Sequence, residues 1–264
     1  MGYFVLDGKC SQDFGVNLSG TGSWATPQRN IETAEVPGRN GSLITYVGSW
    51  KNVEIEYPAW IARRFADKWD AFSEWWNAHT DKYYEMTDSY HSEYYRMVRT
   101  VSPIEPTVGT LNQSGSFDLV FNCKPQKFLQ DGMVKRTLDS AGYAPYEYKL
   151  KNPTEFDAYP LIVARIGEAN SKIYFYDEDE NEICQLTMKY TVSDRSYVGG
   201  IMTYDTEIRE NTVELQGVTY EANDAISEKF NYSGYKQIIL PAKQETTLRL
   251  WNCDIDIYPR WYRI

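Results

Sequence analysis

The side chains able to do chemistry are few, and their spacing says which chemistry to expect. Histidine occurs twice, at His79 and His91. A His-based triad needs a nucleophile and an orienting carboxylate around one ring, and no G-x-S-x-G elbow accompanies either histidine. Two histidines also cannot make a metal site of several imidazoles. Cys10, Cys123, Cys184 and Cys253 show no C-x-x-C spacing, which removes the zinc and dithiol readings. Nor do four cysteines in so long a chain make a disulfide scaffold. Reduced thiols in a protein folded in the cytoplasm are expected.

Three acidic or glycine-rich stretches invite closer reading. In "YDEDENEI", Asp177, Asp179 and Asn181 alternate like the first ligands of a calcium loop. That loop needs glycine at its sixth position and a bidentate Glu at its end; here the sixth residue is Glu182 and no such Glu follows. A solvated hairpin tip is the better reading. Asp254 and Asp256 share one strand face, whereas glycoside hydrolysis wants two carboxylates facing across a cleft. "GRNGS" lacks the further glycines and the lysine of a phosphate loop, and Gly41 is followed by Ser42, Leu43, Ile44, Thr45, Tyr46 and Val47. Pro37-Gly38 and Asn40-Gly41 therefore read as tight turns flanking strands. No catalytic, cofactor-binding or metal-ligating residue is assigned, no cofactor is implied, and the chain is not expected to be an enzyme.

The elements around these residues are mostly strands. The chain has 264 residues, 15% of them aromatic, and a formal net charge of −10. Aromatic richness favours strands and interfaces, and the absence of a basic patch argues against a tight grip on nucleic acid. The apolar run near the N-terminus is too short for a signal peptide or a membrane span, and Leu6 stands where myristoylation wants Ser or Thr. Val53, Ile55 and Tyr57 alternate with Glu54 and Glu56, and Phe117, Leu119, Phe121 and Cys123 alternate with polar neighbours, the period-two signature of half-buried strands. Ile61, Phe65, Trp69, Phe72 and Trp76 instead fall on one helical face, predicting the chain's one strong helix over about 61–79. Beyond "QDGMVKRTLDSAGYAP" the sequence reads as short strands and turns with no convincing helix, the pattern of a β-sandwich or barrel. The fold class expected is mainly β, with a β-rich N-terminal domain over 1–135 carrying the helix and a second β domain over 136–264.

Several of these stretches, in order, resemble one family. "DFGVNLSGTGSWATPQRNIETAEVPGRNGSLI", "DSYHSEYYR" and "FNCKP" resemble the N-terminal domain of distal tail (Dit) proteins of long, non-contractile-tailed phages. "NPTEFDAYPLI" and "DIDIYPRWYRI" are similar to the start and end of that family's C-terminal domain, whereas "YKQIILPAKQETTLRL" lacks the Pro-Gly-x-Asn turn often found there. The resemblance implies a galectin-like β-sandwich for 136–264, without an inserted carbohydrate-binding module. It implies a structural virion protein: a homo-hexameric ring at the distal end of the tail, joined to the tail tube protein on one face and the tail-tip (Tal) protein on the other, with receptor-binding proteins at the periphery and a central channel for DNA in transit. It implies a place in the virion, after folding in the host cytoplasm and without membrane insertion. A ring of identical subunits needs head-to-tail contacts, and an extended hairpin can supply them by backbone pairing. Residues 36–60 are therefore expected to form an arm that embraces the neighbouring subunit. Pro37, Gly38, Arg39, Asn40 and Gly41 would set its exit, and Tyr46 and Trp50 would be its apolar anchors. Two other readings stay open: the hairpin packs within its own domain, or the protein is a carbohydrate-binding adhesion module of the tail tip.

Overall fold

The computed structural model describes residues 1–139, 146–193, 195–231 and 237–264, excluding the side chains of Tyr46, Val47 and Tyr146. The chain divides into two compact units, Met1–Gln130 with the terminal Ile264, and Asp131–Arg263. The sequence reading drew its division slightly later, near residue 135.

The first unit is a sheet backed by a helix. Its strands are β1 (Phe4–Leu6), β2 (Lys9–Cys10), β3 (Val16–Leu18), β4 (Arg29–Ala34), β5 (Leu43–Trp50), β6 (Val53–Ile61), β7 (Tyr84–Asp88), β8 (Tyr94–Thr100), β9 (Thr107–Val108) and β10 (Gly115–Leu129). The main sheet runs β2-β1-β7-β8-β10-β6-β3, with β9 also on β10. At its centre β10 pairs antiparallel with β6 in an unbroken register from Gly115↔Ile61 to Cys123↔Val53. On β6 every second residue is buried, so Val53, Ile55, Tyr57, Ala59 and Ile61 give one continuous apolar face. On β10 the buried residues include Phe117, Leu119, Phe121 and Cys123.

The helix α1 (Phe65–Asn77) lays Phe65, Phe72, Trp75 and Trp76 into that core. It starts four residues later than the periodicity predicted. Ile61 ends β6 and pairs in the sheet with both Gly115 and Val16, while Arg64 takes a left-handed conformation, φ 55°, as the helix N-cap. The left-handed residue separates Ile61 from the helical stripe, and the helix buries Trp75, a residue outside the expected stripe. The aromatic contacts are close: Trp76 lies 5.0 Å from Phe121, Phe4 lies 5.3 Å from Phe121, and Phe14 stacks on Trp75 at 4.7 Å. Trp76 donates its indole N–H to the Val101 carbonyl at 3.1 Å, so the buried ring leaves no polar atom unpaired there.

The quoted turn sequence belongs to a hairpin other than the expected one. β5 pairs back to β4 as a separate two-stranded sheet, with Thr33↔Ile44 and Ala34↔Leu43 opposite one another. β6 is drawn into the main sheet instead. The arm therefore spans residues 29–50, not 36–60, and Pro37, Gly38, Arg39, Asn40 and Gly41 sit at its tip, not at its exit. The physical reason is the continuous apolar face of β6, which the core claims; the matching face of β5 is shorter and is interrupted by Gly48 between Tyr46 and Trp50.

The second unit is two antiparallel sheets. β11 (Arg136–Leu138), β13 (Leu161–Arg165), β18 (Ile201–Asp205), β19 (Glu210–Leu215), β20 (Val218–Glu221) and β23 (Ile255–Tyr258) form one, in the order β11-β23-β13-β18-β19-β20. β12 (Tyr146–Lys151), β14 (Ser171–Tyr176), β15 (Glu182–Met188), β21 (Ile226–Phe230) and β22 (Glu245–Trp251) form the other, in the order β12-β22-β14-β15-β21. A small pair, β16 (Thr191–Val192) and β17 (Arg195–Ser196), stands apart. Each sheet buries one face: Ile162, Met202, Val213 and Ile257 on the first, Ile173, Phe175, Leu186 and Leu248 on the second. Tyr204 on β18 donates a 2.6 Å hydrogen bond to Glu228 on β21, linking the sheets.

β19 and β20 form a hairpin turning at Gln216-Gly217, and Asn252 at φ 55° separates β22 from β23, which lie in different sheets. Leu240 adds one isolated bridge, to Ala158.

Candidate functional site

The titratable residues singled out in the sequence are occupied by the fold. His79 is buried just past α1, and its Nδ1–H donates to the Trp75 carbonyl at 2.7 Å. His91 sets its Nδ1 3.1 Å from Asp88 Oδ1. Asp88 is itself buried and accepts from the backbone N–H of Tyr90 and His91, at 2.8 and 3.0 Å, and from the Tyr57 hydroxyl at 3.0 Å. This carboxylate ties the β7–β8 turn to β6, and burial beside it holds the Tyr57 phenol well above its ordinary range. The "DSYHSEYYR" stretch is thus a structural knot.

The other candidates behave likewise. Asp177 accepts from the backbone N–H of Asp179 and Asn181 at 3.0 and 2.8 Å, closing the β14–β15 turn on itself. Asp256 accepts from Thr137 at 2.6 Å and pairs with Lys135 at 3.3 Å. Burial pushes the Cys123 thiol up to about 12 and the Cys253 thiol up to about 11, the opposite of what a nucleophile needs. Among the described residues no three His, Cys, Asp or Glu side chains gather as metal ligands.

What stands out is the arm. On a two-stranded ribbon, directly opposed residues share a face. Ile31, Thr33 and Ile44 share one, together with the backbone position of Tyr46. Ile31 is 47% and Ile44 64% exposed. Leu43 and Val36 are exposed as well, so none of these four apolar residues belongs to the core. Its root, by contrast, is fastened. Lys51 donates its backbone N–H to the Gln28 carbonyl at 2.7 Å, Asn30 donates to Ser49 Oγ at 2.7 Å, and the Arg29 guanidinium lies 4.2 Å over the Trp50 ring. At the tip Gly38 and Gly41 have φ of 82° and 84°, a backbone that glycine adopts without cost.

Of the residues expected at an interface, Pro37, Gly38, Arg39, Asn40 and Gly41 come together at the tip, and Trp50 sits at the root under Arg29. The Tyr46 side chain lies outside the described residues. Ile31, Leu43 and Ile44 were not singled out in the sequence; the alternation of Ile31 and Thr33 in "NIETA" was the available signal.

No family model matches the sequence, and no curated protein matches it. The fold does have counterparts. The crystal structure of the SPP1 Dit (gp 19.1) protein, described as a paradigm of hub adsorption apparatus in Gram-positive infecting phages, matches over 97% of this chain and 97% of that one, with a TM-score of 0.64 at 16% identity. The chain has the fold of Dit. A chain of the phage P2 baseplate in its activated conformation with Ca matches at TM-score 0.59 and 10% identity, over 97% of each chain. Its counterpart with Sr matches at 0.57 and 12%, over 100% of this chain and 98% of that one. The Dit fold spans both units, so the resemblance read from short motifs extends through the sandwich as well as the helix-backed sheet.

Proposed function

We propose that this chain is a structural protein of a phage tail tip, assembling as a homo-hexameric ring between the tail tube and the tail-tip (Tal) protein. The observation that carries the reading is the agreement in fold with SPP1 Dit along almost the whole length of both chains. In this reading the first unit forms the ring, the second is a galectin-like domain facing outward toward receptor-binding proteins, and DNA passes through a central channel. The net charge of −10 suits a conduit, because a basic wall would hold phosphates and stall transit.

The arm is the subunit contact in this proposal. A closed ring of identical subunits joins two different surfaces head to tail. An exposed ribbon with Ile31 and Ile44 on one face and free strand edges has the means to do this, through apolar burial and backbone pairing. Pro37, Gly38, Arg39, Asn40 and Gly41 reach the neighbour first, and Trp50 stiffens the base. Light scattering of the purified full-length protein tests the reading: a mass of six copies is expected, and a stable monomer with and without tail-tube protein would overturn it.

A further inference from the structure

The outer face of the sheet formed by β12, β22 and β14 carries a groove of about 260 Å³. The register sets three residues in each row across it. Glu147, Arg249 and Tyr174 make one row; Lys149, Thr247 and Tyr176 make the next. The turn residues Asp177, Glu178 and Glu180 form a wall at one end. Beyond Arg249 on the same face stands Trp251, 49% exposed.

The polar groups of this groove are held in place. Arg249 donates from Nε to Glu147 at 2.7 Å and stacks its guanidinium 4.3 Å over the Tyr176 ring. Lys149 pairs with Glu245 at 2.9 Å. Glu178 accepts the backbone N–H of Glu245 at 2.8 Å, pinning the wall to the floor. Preorganised groups of this kind lose little freedom when a ligand arrives.

The lining selects by exclusion. Three cations, Lys149, Lys151 and Arg249, stand against five carboxylates, so a phosphate or another polyanion meets net repulsion. The carboxylates gather no metal-binding cluster among the described residues. No aliphatic side chain lines the groove, so a lipid chain gains nothing. The ligand that suits it is neutral and rich in hydroxyls, each able to donate and accept. Every Arg–Glu or Lys–Glu pair offers an acceptor and a donor side by side, matching neighbouring hydroxyls on a sugar ring. The exposed Trp251 ring supplies the platform for the ring's apolar C–H face. We infer that this groove binds neutral saccharides, one ring at Glu147, Arg249 and Trp251 with the chain continuing along the sheet.

The test is a glycan array with the full-length protein, read beside Trp251→Ala and Arg249→Ala. The wild-type protein is expected to retain a subset of neutral glycans. Each variant should lose at least about tenfold in affinity for them, the scale for removing a central aromatic or arginine anchor. Trp251 is half exposed, so its variant keeps the fold, and an unchanged melting temperature checks this. Retention of no neutral glycan would overturn the inference. So would equal retention by wild type and Trp251→Ala, or retention of sulfated and sialylated glycans alone. The groove lies wholly in the second unit and does not depend on the ring: a monomer that binds sugars breaks only the ring proposal, and a hexamer that binds none breaks only this one.

Discussion

β5 and β6 are separated by two residues, and both are strands rich in β-branched and aromatic residues. β6 buries five of its nine residues in the helix-backed core. β5 leaves Leu43, Thr45 and Ile44 to solvent. Local sequence makes both strands; only the second has a full apolar face, and only it is pulled into the sheet. An isolated two-stranded ribbon is marginal in water, and the exposed Ile31 of β4 and Ile44 of β5 suit the subunit contact proposed above.

The comparison can be broken by substitution. The largest effect belongs to the core: Trp76→Ala should cost about 3–5 kcal/mol, read from the urea midpoint. Next comes assembly. Replacing Ile31 and Ile44 together with Asp should leave subunit stability within about 0.5 kcal/mol, as for exposed sites generally, while the six-copy assembly proposed above gives way to a single copy in native mass. A loss of stability on the scale of Trp76 would mean instead that the arm packs inward, and the contrast with β6 would vanish.

A smaller effect sharpens the reading of the β7–β8 knot. Tyr57→Phe removes one of the donors to the buried Asp88 carboxylate and should cost about 1–3 kcal/mol, without changing the native mass. The smallest concerns alkaline pH. Burial raises the Cys123 thiol from about 9 to about 12. The folded state holds the neutral thiol, so its contribution is complete below pH 9 and is lost as pH rises toward 12, at about 1.4 kcal/mol per unit. Between pH 8 and pH 10 this thiol should account for about one unit's worth of the stability lost, about 1.4 kcal/mol, and Cys123→Ala should shrink the difference between denaturant titrations at the two pH values by that amount.

Much of the first unit is legible in the sequence because burial there follows a simple period. The alternations of Val53 to Tyr57 and Phe117 to Cys123 mark the two central strands, and the spacing from Phe65 to Trp76 marks the helix. The helix start is misread because Arg64 in a left-handed conformation leaves no trace in hydrophobic spacing. The arm is misread because pairing is not local: β5 has β6 two residues away but pairs with β4 across residues 35–42. In the second unit β21, "ISEKF", carries too few apolar residues to announce a strand. The groove was out of reach altogether, since Glu147, Tyr176 and Arg249 become neighbours only through the register of three strands.

The fastening of the arm at Gln28–Lys51, Asn30–Ser49 and Arg29–Trp50 has a mechanical consequence. Clamped at its base, the ribbon behaves as a cantilever with a reach of roughly 20 Å, six residues at strand rise. Its swing grows toward the free end, so docking freezes little at the clamp and most at residues 35–42. A stiff cantilever also transmits angle: in the ring proposed above, the direction in which one subunit points its arm would fix where the next must sit, and with it the number of copies that fit around a circle.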